Sequence, residues 1–279
     1  MSSPPVSIAL LVRNGMPKLG ELLKSLAAQQ GVGEFEIVAV DSGSTDGSLE
    51  ALAAAGAVVH RIEPSSFSFG PTRQLAFSLT QGRVIVTLSQ DTLPDSTDWL
   101  RAMTEPILDG RFDIVQSREA APREVQLKLN VYNCTNLYPH WSEPYVNLSC
   151  AGMAISRVAW AETGFGAVVM SEDKYLARAA MERKLRMTFA EGVKLLHGHE
   201  YTAVSLAKRA FNEGVGAQKT DGRYSLLAMV RDLFRFQTHK TAVSAVLKYR
   251  AMSVPEAVIF PVRPIFLYVG YRFGRKYWG

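Results

Sequence analysis

The sequence predicts an α/β protein with a mainly parallel sheet covered by helices on both faces. Short, continuously apolar segments alternate with amphipathic segments along roughly the first hundred residues. Continuous apolar strands are typical of a sheet buried on both faces, whereas a half-exposed sheet alternates apolar and polar residues. The chain has 279 residues, which is enough to bury a complete core.

The predicted elements follow one another in order. Buried strands are predicted at Val6–Val12, Phe35–Val40, Val58–Ile62, Arg83–Ser89, Asp113–Ser117 and Met187–Ala190. Helices are predicted at the leucine-rich stretch after Pro17, at Thr72–Thr80, at Asp98–Leu108 and at Asp173–Lys184. Residues 119–170 are less regular, and from about residue 206 the sequence becomes helical and basic.

Polar residues follow three of the predicted strands. Arg13 comes after the first strand, Asp41 follows the second, and Gln90 and Asp91 follow the fourth. Ligands of such sheets bind at the carboxyl ends of the strands, so these residues are expected to converge on one site. Asp91 could hold Mg²⁺ or Mn²⁺ against a diphosphate, or cap the turn that follows it. Asp41 could accept hydrogen bonds from a base or ribose, or cap its own loop.

Two adjacent carboxylates, Glu172 and Asp173, precede a predicted helix. The helix macrodipole stabilises carboxylates at this position, so a purely structural role is one interpretation. The other is catalytic, because a carboxylate that stays ionised at neutral pH can take the proton of an attacking hydroxyl. The helix N-terminus or the nearby Arg178 would keep it ionised.

Other candidate ligands lie in two short segments. His197 and His199 would face the same side of an extended segment, where they could bind a metal and a phosphate or merely pack. No third His or Cys completes a zinc motif with them, which argues against a hydrolytic zinc site. Gly70 permits close backbone approach, and Arg73 could reach a phosphate or lie on the surface.

Composition and charge exclude several classes of protein. The chain is 47% hydrophobic and 20% charged, as in ordinary globular proteins. A net charge of +5 suits a polyphosphate ligand or an anionic membrane surface, and equally an ordinary solvated surface. The sequence contains no GxGxxG motif after the first strand and no P-loop motif. Nucleic acid is not an expected partner, because no basic run interleaves with base-stacking motifs.

The expected compartment is the cytoplasm. Only two cysteines, Cys134 and Cys150, are present, which is too few for a disulfide framework. Neither a secretory signal nor an uninterrupted apolar stretch of about 20 residues is visible. The protein is therefore predicted to be cytoplasmic or peripheral at the inner face of the cytoplasmic membrane, with oligomerisation left open.

Seven short segments stand in order along residues 6–215: SIALLVRNG, EIVAVDSGSTDGS, FSFGPTRQLA, VIVTLSQDTLP, NLSCAGMAISRVAWAETGF, SEDKYLARA and LLHGHEY. In this order they resemble the inverting family 2 glycosyltransferases of the GT-A fold, especially the bacterial rhamnosyltransferase-like branch. The resemblance implies a Rossmann-like GT-A domain at 1–205, with a nucleotide-binding half at 1–118 and an acceptor or catalytic half at 119–205. Residues 206–279 would form a helical extension.

The resemblance also implies roles on the donor side. Asp41 would contact the nucleotide base with Arg13 beside it, and Asp91 would be the metal-binding carboxylate of an Asp-x-Asp-type motif. In this sequence, Ser89 stands where that motif has its first acidic residue. Further donor contacts are assigned to Arg73 and Gln90, and metal or diphosphate contacts to His197 or His199. The implied cofactor is Mg²⁺ or Mn²⁺.

The implied reaction is a single in-line displacement that inverts the anomeric carbon. Asp173 would act as the base, with Glu172 as the alternative, while the metal and cations stabilise the departing diphosphate. The donor would be a dTDP-, UDP- or GDP-sugar, with rhamnose suggested by the branch. The acceptor would be a glycan or a lipid-linked molecule in polysaccharide or glycolipid biosynthesis.

The C-terminal tail has two interpretations. Val258–Val269 is apolar, but Pro261 and Pro264 interrupt it, so a continuous buried helix is not expected. The mixed aromatic and cationic residues that follow, up to Trp278, are typical of a segment lying on anionic lipid. The other interpretation is that the tail packs back on the domain or forms an oligomer contact.

Two other functions remain open at this point. A sugar nucleotidyltransferase would have a Gly-rich first loop, of which only the end is echoed at Pro17 and Lys18. It would release pyrophosphate rather than a nucleoside diphosphate. A non-catalytic glycan- or nucleotide-binding module is the third possibility, against which the set of carboxylates at 41, 91, 172 and 173 argues.

Overall fold

The computed structural model describes residues 4–132, 137–198 and 203–274. The chain forms two compact units. The first comprises Met1–Ala120, Ser142–Val168 and Glu172–His197, and the second comprises Ala121–Trp141, Val169–Ser171 and Gly198–Gly279. This division differs from the predicted boundary between residues 205 and 206, because the segment before Trp141 joins the C-terminal helices.

The first unit contains a sheet of eight strands within the described residues, in the order β3-β2-β1-β4-β7-β6-β8-β5. The strands are β1 (Val6–Val12), β2 (Phe35–Asp41), β3 (Val58–Arg61), β4 (Val84–Ser89), β5 (Thr92–Pro94), β6 (Ile114–Ala120), β7 (Gly152–Ser156) and β8 (Met187–His197).

The first four strands in that order pair in parallel, which confirms the predicted α/β sheet. The remaining part of the sheet is mixed. β7 runs antiparallel to β4 and β6, β5 runs antiparallel to β8, and β6 and β8 are parallel. β8 extends to His197, well beyond the short strand predicted at Met187–Ala190, and neither β5 nor β7 was predicted.

Helices cover the sheet of the first unit. They are α1 (Lys18–Ala27), α2 (Ser48–Ala54), α3 (Phe69–Ser78), α4 (Trp99–Leu108), α6 (Arg157–Thr163) and α7 (Glu172–Glu182), with 3₁₀ turns at Pro64–Ser66 and Tyr145–Asn147. The leucines of α1 pack on the apolar side chains of β1 and β4 in one continuous core. Burial of this apolar area is the main stabilising contribution.

The second unit is helical. Its elements are α5 (Arg123–Tyr132), α8 (Ala203–Lys219), α9 (Leu226–Leu233), α10 (Phe236–Leu247), α11 (Val254–Ile259), a 3₁₀ turn (Phe260–Val262) and α12 (Arg263–Phe273). A small core that includes Val131, Leu206, Ala245 and Phe260 holds them together. None of the helices in the described ranges is long and apolar enough to cross a bilayer.

The apolar segment Val258–Val269 is divided between α11 and α12 by the 3₁₀ turn, which confirms that it is not one continuous helix. Through Gly274, the tail packs back on its own unit. Arg263 is buried and pairs with Glu213 of α8, and Gly270 lies directly against the backbone of Phe211. The aromatic and cationic residues beyond Gly274 lie outside the described part of the chain.

Candidate active site

The carboxyl ends of three parallel strands lie at one edge of the sheet. Val12 at the end of β1 pairs with Asp41 at the end of β2, and Leu11 pairs with Ser89 at the end of β4. The polar residues that follow these strands are therefore brought together. This is the arrangement expected from the sequence.

Gln90 binds the main chain of Arg13 with both ends of its amide. The Arg13 N–H donates to Oε1 at 2.9 Å, and Nε2 donates to the Arg13 carbonyl at 3.0 Å. A side chain at Gly15 would lie 2.8 Å from the same Oε1, so glycine is needed for this approach. Gln90 thus orients the loop after β1, while the Arg13 side chain is exposed at the edge.

Asp41 is fully buried and caps its own loop. Oδ1 accepts hydrogen bonds from the N–H groups of Gly43 (3.0 Å) and Ser44 (3.1 Å), and the Ser44 hydroxyl donates to Oδ2. The Ser44 oxygen in turn accepts from the Asn14 N–H at 2.9 Å. Of the two roles considered for Asp41, the structure contains the loop cap, and this cap links the loops that follow β1 and β2.

Asp91 and His197 lie side by side because β5 pairs with β8, in the register that sets Thr92 against His197. The His197 Nε2 lies 3.7 Å from Oδ1 of Asp91, and Nδ1 lies 2.7 Å from Oε2 of Glu119 on β6. A carboxylate only accepts hydrogen bonds, so the hydrogen of the contact with Glu119 is on Nδ1 of His197.

Asp91 and His197 fit a site in which a divalent cation is bound partly by the protein and partly by the substrate. The described residues contain no group of three or more His, Cys, Asp or Glu side chains arranged to bind a metal by themselves. Mg²⁺ in particular is usually bound by one or two side chains together with substrate phosphates and water. A carboxylate that orients a ligating imidazole, as Glu119 orients His197, is a recurrent feature of metal sites. His199 lies outside the described residues.

Arg73 does not point to the strand ends but is buried in an ion pair. Its Nε and Nη2 each lie 3.0 Å from Oε1 of Glu172, and Nη1 donates to the Thr87 hydroxyl at 2.6 Å. Burial raises the pKa of Glu172 above its ordinary value, and the attraction of Arg73 opposes that shift. Thr87 is a central residue of β4, so the network fixes the start of α7 to the sheet.

The alternative that Arg73 lies on the surface is therefore wrong, because its guanidinium is buried against Glu172 and Thr87. A contact of Arg73 with a phosphate of the donor stays a prediction. Gly70 has the close backbone approach expected of it, and the approaching backbone is the chain's own. Its N–H donates to the Val168 carbonyl at 3.0 Å, and a side chain there would lie 2.5 Å from the Gly166 carbonyl oxygen.

Asp173 is the more accessible member of the acidic pair. It is half-buried, whereas Glu172 is only 6% exposed. The Lys174 N–H donates to its Oδ1 at 2.7 Å. The Lys174 ammonium donates to the carbonyls of Val146 (2.9 Å) and Leu148 (2.8 Å), which holds the segment before β7 against α7.

Cys150 is buried close to this network, where its thiol is shielded from solvent. Burial raises the pKa of its thiol well above the ordinary value, and Arg73 only partly opposes this. Cys134 lies outside the described residues.

The structure thus brings together the sequence-predicted residues in two groups. Arg13, Asp41, Gln90 and Asp91 follow the neighbouring strands β1, β2 and β4, and His197 at the end of β8 lies beside Asp91. The second group is Arg73 with Glu172, at the start of α7. Sequence reasoning missed Glu119, Thr87 and Asn14. A charged residue near the end of a strand could have indicated Glu119, while nothing local distinguishes Thr87 from other strand threonines.

Residues 7–142 match the family model described as Glycosyl transferase family 2. The matched range contains β1 through β6 and the site residues as far as Asp91. It ends before Glu172, Asp173 and His197. No curated protein sequence shows significant similarity to the chain.

Several solved structures have the same fold. A mannosyltransferase from Pyrobaculum calidifontis in complex with GDP-Man and Mn²⁺ is similar with a TM-score of 0.63 and 16% identity, over 99% of this chain and 89% of that one. TarS from S. aureus gives a TM-score of 0.58 and 16% identity, over 97% and 91% of the two chains. Glucosyl-3-phosphoglycerate synthase from Mycobacterium tuberculosis, in complex with Mn²⁺, UDP-Glc and phosphoglyceric acid, gives 0.56 and 18%, over 78% and 77%.

These likenesses confirm the predicted GT-A fold. The family match agrees with the predicted family over the part of the chain that it covers, and the rhamnosyltransferase-like branch stays a prediction.

Proposed function

We propose that the protein is a nucleotide-sugar-dependent glycosyltransferase that transfers a hexosyl group with inversion. The observation that carries the proposal is that the ends of β1, β2 and β4 meet at one edge of the sheet, where Asp91 lies within the residues 7–142 that match the family 2 model. His197, beyond the matched range, lies beside Asp91 because β5 pairs with β8. The solved structures with GDP-Man and Mn²⁺, or with UDP-Glc and Mn²⁺, support this class of donor and cofactor.

The nucleotide is proposed to lie along the ends of β1 and β2. The exposed Arg13 offers a cation to the base or the diphosphate, and its position depends on the amide of Gln90. Asp41 is buried, so its contribution is to hold the loop whose backbone would face the base. A direct contact between Asp41 and the base would require this loop to open.

Asp91 and His197 are proposed to hold Mg²⁺ or Mn²⁺, with His199 as a further candidate outside the described residues. The bound cation would neutralise negative charge on the diphosphate. Glu119 keeps the proton on Nδ1 of His197, which leaves Nε2 with the lone pair that a metal ligand needs.

Asp173 is proposed to be the general base. Its oxygen takes the acceptor hydroxyl proton while the acceptor oxygen bonds to the anomeric carbon, and the bond from that carbon to the diphosphate oxygen breaks on the opposite face. Glu172 is the weaker candidate, because Arg73 occupies its carboxylate. We assign Glu172 instead to positioning the start of α7.

Donor and acceptor are proposed at the level of chemical class. The donor is a dTDP-, UDP- or GDP-hexose, with rhamnose suggested by the sequence resemblance alone. The acceptor is a glycan or a lipid-linked molecule, and a lipid-linked acceptor would bring the enzyme to the inner face of the cytoplasmic membrane.

The test begins with thermal unfolding in the presence of dTDP, UDP or GDP, each with and without Mn²⁺. A ligand that binds only the folded state stabilises it by about 2.7 kcal/mol at a hundred times its Kd, so one nucleotide with Mn²⁺ should raise the Tm clearly. The matching nucleotide sugar should then release nucleoside diphosphate when an acceptor extract is added. Release of pyrophosphate from a nucleoside triphosphate and a sugar phosphate would instead identify a nucleotidyltransferase.

A further inference from the structure

Helix α9 turns its apolar face to solvent. Leu226, Leu227, Val230 and Phe234 recur at helical spacing, and Leu227 and Phe234 are 78% and 74% exposed. The residue of α9 that is buried is Asp232, which accepts a hydrogen bond from Tyr224 at 3.2 Å. An amphipathic helix in a globular protein normally buries its apolar face. The exposure of this face therefore indicates a contact with a partner outside the second unit.

Helix α10 continues the apolar surface. Phe236, two residues after Phe234, is 77% exposed, while Ala242 and Ala245 of the same helix pack into the core of the second unit. Large aromatic side chains in water expose apolar area without any benefit to folding. Burial against a partner would remove that area from water.

The exposed charge around this face is of one sign. Residues 222–250 contain six Arg or Lys and a single acid, the buried Asp232. Arg231, Arg235 and Lys240 are exposed and border the apolar residues. Exposed aromatic and aliphatic side chains bordered by cations are the pattern of surfaces that lie on anionic lipid.

A cavity of about 330 Å³ opens beside Arg235. The described residues that line it are Asn130, Arg235, Gln237, Thr238 and Thr241. The Thr238 hydroxyl is buried and has no hydrogen-bond partner among the described residues. A cation and several hydroxyl and amide groups around a small cavity suit the phosphate of a lipid head group.

We propose that the α9–α10 surface, defined by Leu226, Leu227, Val230, Phe234, Phe236 and the cations Arg231, Arg235 and Lys240, docks on an anionic lipid bilayer. The aromatic side chains enter the interface, the cations meet the head groups, and the cavity beside Arg235 receives a phosphate. A second copy of the chain fits less well, because a two-fold contact would set like charges against one another.

The inference rests on the lipid-linked acceptor of the proposed function. It places the membrane contact at residues 226–247 rather than in the C-terminal tail. Since α12 packs on α8, deleting residues 255–279 would disrupt the second unit and could not test the contact. Point substitutions of exposed side chains leave the core intact.

The experiment is co-sedimentation with vesicles of phosphatidylcholine alone or with phosphatidylglycerol, without donor or acceptor. The full chain should bind only the anionic vesicles, and less so at high salt. The double variant Leu227→Ser/Phe234→Ser should bind at least about tenfold more weakly. Val158→Ser, which removes a 71% exposed valine from α6 in the first unit, should bind like the wild type.

Substituting the cations isolates the electrostatic contribution to vesicle binding. Arg231→Gln and Lys240→Gln should each weaken binding by about fivefold, since a cation at an anionic surface contributes about 1 kcal/mol. Arg111→Gln, a change at another exposed arginine, should have no such effect. Arg235→Gln should also reduce the preference for phosphatidylglycerol.

Three results would overturn the proposal. One is equal vesicle binding by the wild type and the double variant, and a second is no dependence on anionic lipid. The third is a dimer in lipid-free solution that the double variant abolishes, which would assign the surface to a second copy of the chain. The vesicle experiment uses no donor, so a protein without transferase activity could still bind vesicles. Equally, a protein that does not bind vesicles could still transfer a hexosyl group.

Discussion

Arg73 and Glu172, 99 residues apart, form a buried ion pair in which two guanidinium nitrogens lie 3.0 Å from one carboxylate oxygen. The pair joins α3 to the first residue of α7, and through Thr87 it reaches the middle of β4. Asp173 is the next residue along the chain. The geometry of the proposed base therefore depends on a contact that lies inside the protein.

Arg73→Met should lower the free energy of unfolding by about 3–5 kcal/mol, because it leaves Glu172 as an uncompensated buried carboxylate. The double variant Arg73→Met/Glu172→Leu should lose less than Arg73→Met alone, since no buried charge remains. Arg178→Met, which breaks the exposed pair with Glu182, should cost less than about 1 kcal/mol. Urea unfolding measures all three. Equal losses in the single and double variants would contradict the buried-charge account.

Asp173→Asn should lower turnover by about 10²–10⁴-fold, because the amide cannot take the acceptor proton. The Tm increase produced by nucleoside diphosphate and Mn²⁺ should stay close to that of the wild type, since the donor does not depend on this carboxylate. Asp109→Asn, at an exposed carboxylate beyond α4, serves as the control and should keep full turnover. Near-normal turnover in Asp173→Asn would remove this residue from the role of base.

Glu119→Gln should weaken Mn²⁺ binding in the presence of nucleoside diphosphate by about 10–100-fold, because the carboxylate that orients His197 is lost. Asp91→Asn should weaken it further, since it removes a proposed ligand. The matched control is Glu191→Gln, an exposed position on the same strand as His197. Electron paramagnetic resonance of free Mn²⁺ gives the affinities. Unchanged affinity in both site variants would exclude this pair as the metal site.

Acid pH should weaken the contact between Asp113 and Arg186, the residues directly before β6 and β8. Hydrogen bonds from the Arg186 side chain hold the pKa of Asp113 below its ordinary value of 3.8. The carboxylate therefore stabilises the fold above that value, and its contribution is lost as the pH falls through the lower pKa of the folded state. The stability difference between wild type and Asp113→Asn should be constant near neutral pH and shrink below about pH 4. A difference independent of pH would rule out this contribution.

Gly70→Ala should destabilise the protein by about 1–3 kcal/mol, because the new Cβ would lie 2.5 Å from the Gly166 carbonyl oxygen and 2.8 Å from that of Val168. Backbone atoms on a packed loop cannot move aside easily. Gly20→Ala in α1 is the control, since its Cβ would meet only the flexible end of Met16 at 3.3 Å. That change should be neutral or stabilising by up to about 1 kcal/mol. Thermal unfolding compares the two.

The parallel part of the fold could be predicted because its signals are local. A mainly apolar run such as Val6–Val12 is typical of a strand covered on both faces, and the polar residues after it mark the edge where ligands bind. The positions of Asp41 and Asp91 at that edge followed directly. β5 and β7 could not be predicted in this way, because β5 has only three residues and β7 lies in an irregular stretch.

The sequence by itself determined the α/β class, the strand ends that carry Arg13, Asp41 and Asp91, and the break of the C-terminal apolar segment at Pro261. Only the tertiary structure decided that Gln90 binds the main chain of Arg13, that Glu119 orients His197, and that the apolar face of α9 points outward. The physical reason is the range of the interactions. Strand and helix patterns come from neighbouring residues, whereas these contacts join side chains that meet only when distant segments pack together.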